Sequence, residues 1–229
     1  MNPLSHLIRS RGHTLWTRPL NAASVVVDAG AHRGEFSRNL HAKFGCQCIL
    51  IEANPRLAAA LSAPPGGQVI PAALSATDGL VSFNVDQNPE AGGIETKPAD
   101  SGQEMLSIES LSLVTLKARL GLEQIDLLKL DIEGSEFELL QQTPDAVLSE
   151  IGQITVEFHD FLPAFGGRGL YEAARARLEK LGFLCCPMAF RTHGDVLFLN
   201  RRKIPLSFID LAAIRGLGKW VLKLQGEQS

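Results

Sequence analysis

VVVDAGAHRGEFSRNL, residues 25–40, begins as a β-branched apolar run, passes through an acid and a loop with two glycines, and ends in a helical pattern. A strand that turns at glycines into a helix is typical of the ligand-binding edge of an open α/β sheet. Gly30 and Gly34 allow a sharp turn, and the first turn of the helix offers unpaired N–H groups. The D-x-G-x-x-x-G spacing differs from G-x-G-x-x-G, which weakens a dinucleotide interpretation.

Short apolar runs alternate with helical patterns along the rest of the chain. The runs lie at 24–30, 48–53, 68–74, 80–85, 125–131, 153–159, 182–188 and 195–200, and the helical patterns at 35–44, 55–62, 135–142 and 169–181. Several runs are apolar at consecutive positions, as strands buried on both faces require. The alternation predicts an α/β fold with a mostly parallel sheet and helices on both faces. Only a short polar segment separates the last two runs, so the final strand is predicted to be antiparallel to its neighbour.

Composition excludes several classes of protein. The chain has 229 residues, is 45% hydrophobic and carries a net charge of −3, which does not suit a nucleic-acid partner. No apolar run approaches the roughly 20 residues of a membrane span, and the first residues lack a signal-peptide pattern, so the expected location is cytoplasmic. The four cysteines, Cys46, Cys48, Cys185 and Cys186, fit no zinc or C-x-x-C spacing and are predicted to be buried free thiols.

The organisation predicted is one main domain, residues 24–202, between an N-terminal extension, 1–23, and a C-terminal helical tail, 203–229. Residues 86–103 are rich in Pro, Gly and Asp and are predicted to form a long surface loop. The tail has apolar residues near helical spacing around Trp220. It is predicted to be a helix docked on the core, with a weak membrane-surface contact as the alternative.

Glu52 ends the second apolar run, in CILIEANP, 24 residues after Asp28. A carboxylate at this edge of the sheet can accept hydrogen bonds from both hydroxyls of a ribose, so Glu52 suggests an adenosine-type ligand. The alternative is that Glu52 caps the helix that begins near Pro55.

Five segments, taken together, resemble the successive motifs of the FkbM-type family of S-adenosylmethionine-dependent methyltransferases. They are VVVDAGAHRGEFS, LIEANPRLAAAL, PAALSATDGLVSFNV, IDLLKLDIEGSEFELL and ITVEFHD, within about residues 24–201, and KLDIEGSE is the most specific. The resemblance implies a class I methyltransferase domain over 24–202, Rossmann-like, with a seven-stranded sheet whose last strand is antiparallel. It also implies S-adenosyl-L-methionine as the cofactor.

The resemblance assigns parts of the cofactor to positions of this sequence. Asp28, Gly30 and the loop through Gly34 would hold the methionine end, Glu52 the ribose, and Ala73 and Leu74 would flank the adenine. The full set of expected cofactor-binding residues is Asp28, Gly30, Ala31, His32, Gly34, Glu52, Ala53, Ala73, Leu74 and Asp131. Two positions depart from the family: His32 stands where Asn is usual, and Ala53 where Pro is usual.

The catalytic groups are expected at the ends of two further strands. Asp131 and Glu133 follow one run, and Glu157, His159 and Asp160 follow the next. Methyl transfer to a hydroxyl needs a proton acceptor, and histidine has the ordinary pKa nearest neutrality, about 6.5, so His159 is the expected general base. Asp131 and Glu157 are the other expected catalytic residues.

Two alternatives concern this cluster. The first is structural: Asp131 or Glu133 caps the helix at 135–142 instead of taking part in the site. Asp131, Glu157 and His159 have ligand types that suit a divalent metal, although the expectation is a site without metal.

The acceptor implied is a hydroxyl on a small molecule, a sugar or glycan, or a natural product. A nicotinamide-dependent oxidoreductase is disfavoured by the loop spacing and by the lack of a Tyr-x-x-x-Lys pair, since Tyr171 is followed by Arg175. A P-loop enzyme is excluded because Gly218-Lys219 is followed by Trp220. Nucleic-acid methylation is disfavoured by the absence of an Asn-Pro-Pro-aromatic segment and by few aromatic residues for stacking. A non-catalytic S-adenosylmethionine-binding protein remains an alternative.

Overall fold

The fold is taken from a computed structural model, which describes residues 3–85, 93–94, 104–159, 168–190 and 192–225. The strands in these ranges are β1 (Leu7–Ser10), β2 (His13–Trp16), β3 (Val25–Ala29), β4 (Gln47–Ile51), β5 (Gln68–Ile70), β6 (Ala73–Leu74), β7 (Gly79–Val85), β8 (Gly93–Ile94), β9 (Glu104–Leu111), β10 (Ile125–Leu130), β11 (Ile151–Val156), β12 (Phe183–Pro187) and β13 (Val196–Asn200). The helices there are a 3₁₀ turn (Pro3–His6), α1 (Glu35–Phe44), α2 (Pro55–Ala60), α3 (Leu113–Leu120), α4 (Glu136–Gln142), α5 (Asp145–Ser149), α6 (Arg168–Lys180) and α7 (Phe208–Gln225).

The main sheet has seven strands in the order β12-β13-β11-β10-β3-β4-β5. Strands β3, β4, β5, β10 and β11 pair in parallel, whereas β13 is antiparallel to both β11 and β12. The chain order reverses between β3 and β10, so a crevice is expected at their carboxyl ends. The predicted mostly parallel sheet with an antiparallel last strand is confirmed.

Helices cover both faces of this sheet, which explains the consecutive apolar residues of the central strands. Val27 and Leu128 belong to a core cluster with residues of α3, α4, α5 and α6, whereas Val26 and Leu127 belong to a cluster with α1 and the β1–β2 hairpin. Neighbouring residues of one strand therefore enter different cores. A strand with a solvated face would show alternation instead.

The apolar run at 68–74, predicted to be one strand, forms two strands, β5 and β6. Pro71 lacks an N–H, and the pairing of β5 with β4 ends at Ile70. Ala73–Leu74 then joins a smaller sheet of order β6-β9-β7-β8, which also holds the predicted strand at 80–85. Of the predicted loop at 86–103, Gly93–Ile94 pairs with β7, and residues 86–92 and 95–103 lie outside the described residues.

The two ends of the chain pack together at one side of the main sheet. The β1–β2 hairpin contacts β11 and β13, and Trp16 exchanges two hydrogen bonds with the side chain of Gln153, at 2.9 and 3.0 Å. Helix α7 contacts β1, and Arg18 pairs with Asp210 at 2.7 Å. The tail is thus a docked helix over Phe208–Gln225, although the side chain of Trp220 lies outside the described residues.

The described residues test the prediction for the cysteines. All four cysteines are free and buried, as predicted. None of the helices in the described ranges combines the length and apolar character needed to cross a membrane.

Candidate active site

A cavity of about 330 Å³ opens at the carboxyl ends of β3, β4 and β10. Its volume lies within the range of about 300–1,000 Å³ usual for small-molecule sites. The lining residues are Arg11, Gly30, Ala31, His32, Arg33, Glu35, Phe36, Ile51, Glu52, Ala53, Asn54, Leu57, Ala72, Ala73, Leu74, Phe83, Lys129, Asp131, Ile132 and Glu133. The crevice predicted from the opening stretch therefore exists and draws on three neighbouring strands.

The loop after β3 passes unusually close to the end of β10. Gly30 has φ +75°, and a Cβ there would lie 1.8 Å from the carbonyl oxygen of Asp131. Its N–H donates to the carbonyl of Ile51 at 3.0 Å, which ties the loop to β4 as well. Only glycine fits this position.

Gly34 serves the loop differently. It is the left-handed N-cap of α1, and its vacant side-chain position faces Leu50 and Leu61, so it lies outside the cavity lining. Gly34 therefore has a role in turning the chain into α1, and the expected contact with the cofactor stays a prediction. His32 lines the cavity with φ +50°, a conformation that asparagine adopts more readily than most residues.

Glu52 joins the first two loops of the site. Its Oε2 accepts the N–H of His32 at 2.7 Å, and its Oε1 accepts the N–H of Asn54 at 2.8 Å. Burial raises the pKa of Glu52, and these two donors lower it in part. The helix α2 is capped by Asn54, whose Oδ1 accepts from Arg56 and Leu57, so the capping alternative for Glu52 is wrong.

Asp28 lies beneath the loop rather than in the cavity lining. Its side chain is fully buried, pairs with Lys129 Nζ at 3.1 Å and accepts the hydroxyl of Ser37 at 2.7 Å. Asp28 Oδ1 thus faces Lys129 and Oδ2 accepts from Ser37, because β10 brings Lys129 alongside, and the expected contact of Asp28 with the cofactor stays a prediction.

Lys129 links this buried pair to the cavity. Burial would lower the pKa of Lys129, but the charges of Asp28 and Asp131 outweigh it and raise the pKa. Its Nζ donates to the carbonyl of Gly30 at 2.7 Å and lies 3.6 Å from Asp131. A charged lysine thus fixes the glycine loop against the end of β10.

The apolar end of the cavity lies beyond Glu52. Ala73 and Leu74 form β6 and line the cavity with Ala53 and Phe83. Ala73 and Leu74, the two residues expected beside an adenine, thus line the same cavity as the aromatic ring of Phe83. This part of the cavity wall is therefore apolar.

The loop after β10 is folded around Glu136. The Glu136 carboxylate is fully buried and accepts the N–H groups of Ile132 at 2.9 Å and Gly134 at 3.0 Å. Glu133 has φ +51° and lines the cavity. The N-cap of α4 is Ser135, so neither Asp131 nor Glu133 caps that helix, and that alternative is wrong.

His159 faces carboxylates through both ring nitrogens. Nδ1 is 3.2 Å from Glu136 and Nε2 is 3.4 Å from Glu133. Burial would lower the pKa of His159, but the hydrogen bond and charge of Glu136, with Glu133 and Asp131, raise it to about 9. This raised pKa favours the protonated form at neutral pH, in which His159 cannot accept a proton, and so counts against the expected general-base role.

Asp131 and Glu157 share one side of this cluster. Burial would raise the pKa of Asp131, but Lys129 and the two histidines His13 and His159 lower it well below its usual value. Burial raises the pKa of Glu157, and the charge of Asp131 raises it further. Asp131 lines the cavity, ligand atoms of Glu157 and Asp131 lie within 4.8 Å of each other, and Asp160 lies outside the described residues.

Sequence reasoning missed Lys129, Glu136 and His13 as parts of the site. Lys129 and Glu136 stand in KLDIEGSE, and the available signal for Lys129 was a charged residue inside an apolar run. His13 lies in the N-terminal extension, and its approach to Asp131, 3.6 Å from Nε2 to Oδ2, depends on how the hairpin docks. No sequence pattern indicates that contact.

Comparison with known proteins identifies a family to which this chain is similar. A family model described as the methyltransferase FkbM domain matches residues 28–185. The AMB antimetabolite synthetase AmbE of Pseudomonas aeruginosa is 49% identical over 41 residues, which are 18% of this chain and 2% of that protein. The chain therefore spans a small fraction of that relative.

Two solved structures are similar at low identity. Precorrin-6y C5,15-methyltransferase from Geobacter metallireducens GS-15 shows 13% identity and a TM-score of 0.38 over 79% of this chain and 80% of that chain. CalO1, a methyltransferase in calicheamicin biosynthesis in its SAH-bound form, shows 11% identity and a TM-score of 0.35 over 79% of this chain and 50% of that chain.

Proposed function

Because this chain belongs to the methyltransferase FkbM domain family, we propose that it transfers a methyl group from S-adenosyl-L-methionine to a hydroxyl of a small molecule, a sugar or glycan, or a natural product. The observation that carries the proposal is Glu52, a buried carboxylate on the cavity wall, held in place by two backbone N–H groups. Each oxygen of a carboxylate has two acceptor positions, so each retains one for a ribose hydroxyl.

The other cavity residues fit the remaining parts of the cofactor. Ala73, Leu74 and Phe83 offer an apolar wall to the adenine. Arg11 and Arg33 are lining cations suited to the methionine carboxylate, and Asp131 is suited to its ammonium group. Charged groups of both signs and an apolar wall in one cavity match a zwitterionic amino acid joined to a nucleoside.

The cofactor supplies an electrophilic methyl group on a sulfonium, and the protein supplies position and a proton acceptor. Holding an acceptor oxygen in line with the methyl carbon contributes about 7–11 kcal/mol to such reactions. We assign the proton acceptor role to Glu133, which lines the cavity and whose pKa is raised chiefly by burial. A raised carboxylate pKa brings the base nearer to the working pH. His159 and Glu136 then act by positioning the Glu133 loop.

The proposal also covers the partners and the location of the protein. We expect a small-molecule or glycan acceptor, no nucleic acid, and a cytoplasmic location. A weak membrane-surface contact through the tail is supported by Phe208 and Ile209, which are 84% and 67% exposed at the start of α7. Exposed apolar residues on a docked helix are typical of interfacial contact.

The test of function uses the purified protein, labelled S-adenosylmethionine and extracts from a strain that lacks this gene. We expect S-adenosylhomocysteine to be released with one extract fraction, and a metabolite or glycan in that fraction to be one methyl group lighter than in the parent strain. Binding without release in any fraction would favour the non-catalytic alternative. Binding of a nicotinamide cofactor in place of S-adenosylmethionine would favour the oxidoreductase and contradict the proposal.

A further inference from the structure

The β1–β2 hairpin carries a histidine into the candidate site. His13 is the first residue of β2, and its side chain is 1% exposed. Nδ1 lies 3.5 Å from the hydroxyl of Thr155, which orients the ring. Nε2 is buried and has no hydrogen-bond partner among the described residues. Burial of an imidazole nitrogen without a hydrogen bond lowers the stability of the fold, unless a bound ligand contacts that nitrogen.

The unpartnered nitrogen faces two carboxylates. His13 Nε2 lies 3.6 Å from Asp131 Oδ2, and ligand atoms of His13, Asp131 and Glu157 all lie within 4.8 Å of one another. The three residues come from the hairpin, from the end of β10 and from the end of β11, so three separate elements converge here. Carboxylates are typical ligands of Mg²⁺, Ca²⁺ and Mn²⁺, and imidazole is a typical ligand of zinc, copper, iron and nickel. A set of one imidazole and two carboxylates therefore suits a first-row divalent cation.

We propose that His13, Asp131 and Glu157 bind a divalent first-row cation, such as Mn²⁺, at the wall of the cavity. Asp131 belongs to both the cavity lining and this triad, so the cation would lie next to the space for the acceptor. There it would bind the acceptor hydroxyl and favour loss of its proton. That role rests on the proposed function, whereas cation binding itself does not.

The competing set of groups around Asp131 is a poorer site. Asp131, Glu133 and His159 also lie within 4.8 Å of one another. His159, however, already faces Glu136 through Nδ1 and Glu133 through Nε2, so neither nitrogen offers a lone pair without losing a contact. Metal ligation requires a neutral imidazole with an available nitrogen.

Lys129 does not block the triad. Its Nζ lies 3.1 Å from Asp28 and donates to the carbonyl of Gly30, so the Asp28 carboxylate compensates its charge. Asp131 keeps two oxygens, of which Oδ2 is shared with Lys129 at 3.6 Å. A cation can therefore use the remaining acceptor positions of Asp131.

The test titrates chelator-treated full-length protein with Mn²⁺ and follows the free ion by electron paramagnetic resonance. We expect one equivalent of Mn²⁺ to bind, with affinity at least tenfold weaker in His13→Asn and in Glu157→Gln. Glu157 is partly exposed, so that variant tests the site even if the buried His13 variant unfolds. His41→Asn, on α1 away from the triad, is the matched control and should bind as the parent does.

Two outcomes would overturn the inference. One is that the parent protein binds no Mn²⁺, and the other is that binding is the same in folded His13→Asn and Glu157→Gln proteins. Calorimetry with S-adenosylhomocysteine on the chelator-treated protein separates this inference from the proposed function. Cofactor binding without Mn²⁺ binding contradicts the cation site alone, and Mn²⁺ binding without cofactor binding contradicts the proposed function alone.

Discussion

The carboxylate of Glu52 accepts the backbone N–H of His32 at 2.7 Å, which ties the end of β4 to the loop after β3. The other oxygen of Glu52 accepts the N–H of Asn54. One buried side chain thus shapes two loops of the cavity before any ligand binds. The same side chain is the proposed ribose acceptor, so its structural role must be measured separately from its binding role.

Glu52→Gln should lower the free energy of unfolding by about 1–3 kcal/mol in the absence of ligand. A glutamine side chain has one carbonyl oxygen, so its NH₂ group would face one of the two N–H donors. Urea unfolding gives the value, with Glu109→Gln as the control, because Glu109 forms only an exposed pair with Arg119. Equal effects of the two substitutions would mean that Glu52 does not hold the loops.

Gly30→Ala should destabilise the protein by more than about 3 kcal/mol, because the new Cβ would collide with the Asp131 carbonyl. Gly66→Ala is the matched control: Gly66 has φ +76°, against +75° for Gly30, but a Cβ there meets nothing within 4 Å. The control should cost about 1–2 kcal/mol for the left-handed backbone alone. If thermal unfolding shows the same loss for both variants, the close approach of the two loops is absent.

Lys129→Met should destabilise the protein by about 3–5 kcal/mol, because it leaves the Asp28 charge buried and unpaired. The double variant Asp28→Asn with Lys129→Met should recover most of that loss, since Ser37 can still donate to the asparagine oxygen. Chemical denaturation of the single and double variants measures the coupling. Additive losses would contradict a direct pairing of Asp28 with Lys129.

The raised pKa of His159 makes the free energy of unfolding of the protein depend on pH. It is about 9 in the folded protein against 6.5 ordinarily, so folding favours the protonated form. The stabilisation is fully present below about pH 6.5 and is lost as the pH rises through 9. Relative to His159→Gln, the parent should therefore lose on the order of 3 kcal/mol of unfolding free energy between pH 6 and pH 9.5.

Urea unfolding in chelator at several pH values checks this prediction. Among the described residues, Glu136, Glu133, Asp131 and Glu157 carry charges that interact with His159. In a Glu136→Gln background the pH dependence should shrink, because the nearest carboxylate is gone. A difference between parent and His159→Gln that stays constant from pH 6 to pH 9.5 would show that His159 is not held protonated.

The main sheet was predictable because burial on both faces leaves consecutive apolar residues, as in β3 and β10. The β1–β2 hairpin and β9 were not predicted. Residues of β9 alternate between exposed and buried near a segment without periodicity, and the hairpin is short. Such elements are specified by tertiary pairing more than by local pattern.

The candidate site was predictable where residues stand at the ends of strands. Glu52 and Asp131 were found in this way, and both line the cavity. The protonation of His159 was not, since it depends on Glu136 four residues beyond Ile132 in a loop that folds back on itself. Distances across loops, rather than spacing along the chain, set the pKa there.

Calorimetric titration of S-adenosylhomocysteine into the parent protein, Glu52→Ala and Glu109→Ala tests the central claim most directly. We predict one site per chain in the parent and in Glu109→Ala, and an affinity at least 100-fold weaker in Glu52→Ala, since two charge-assisted hydrogen bonds contribute roughly 1.5–3 kcal/mol each. Absence of binding to the parent, or equal affinity in a folded Glu52→Ala protein, would contradict the account.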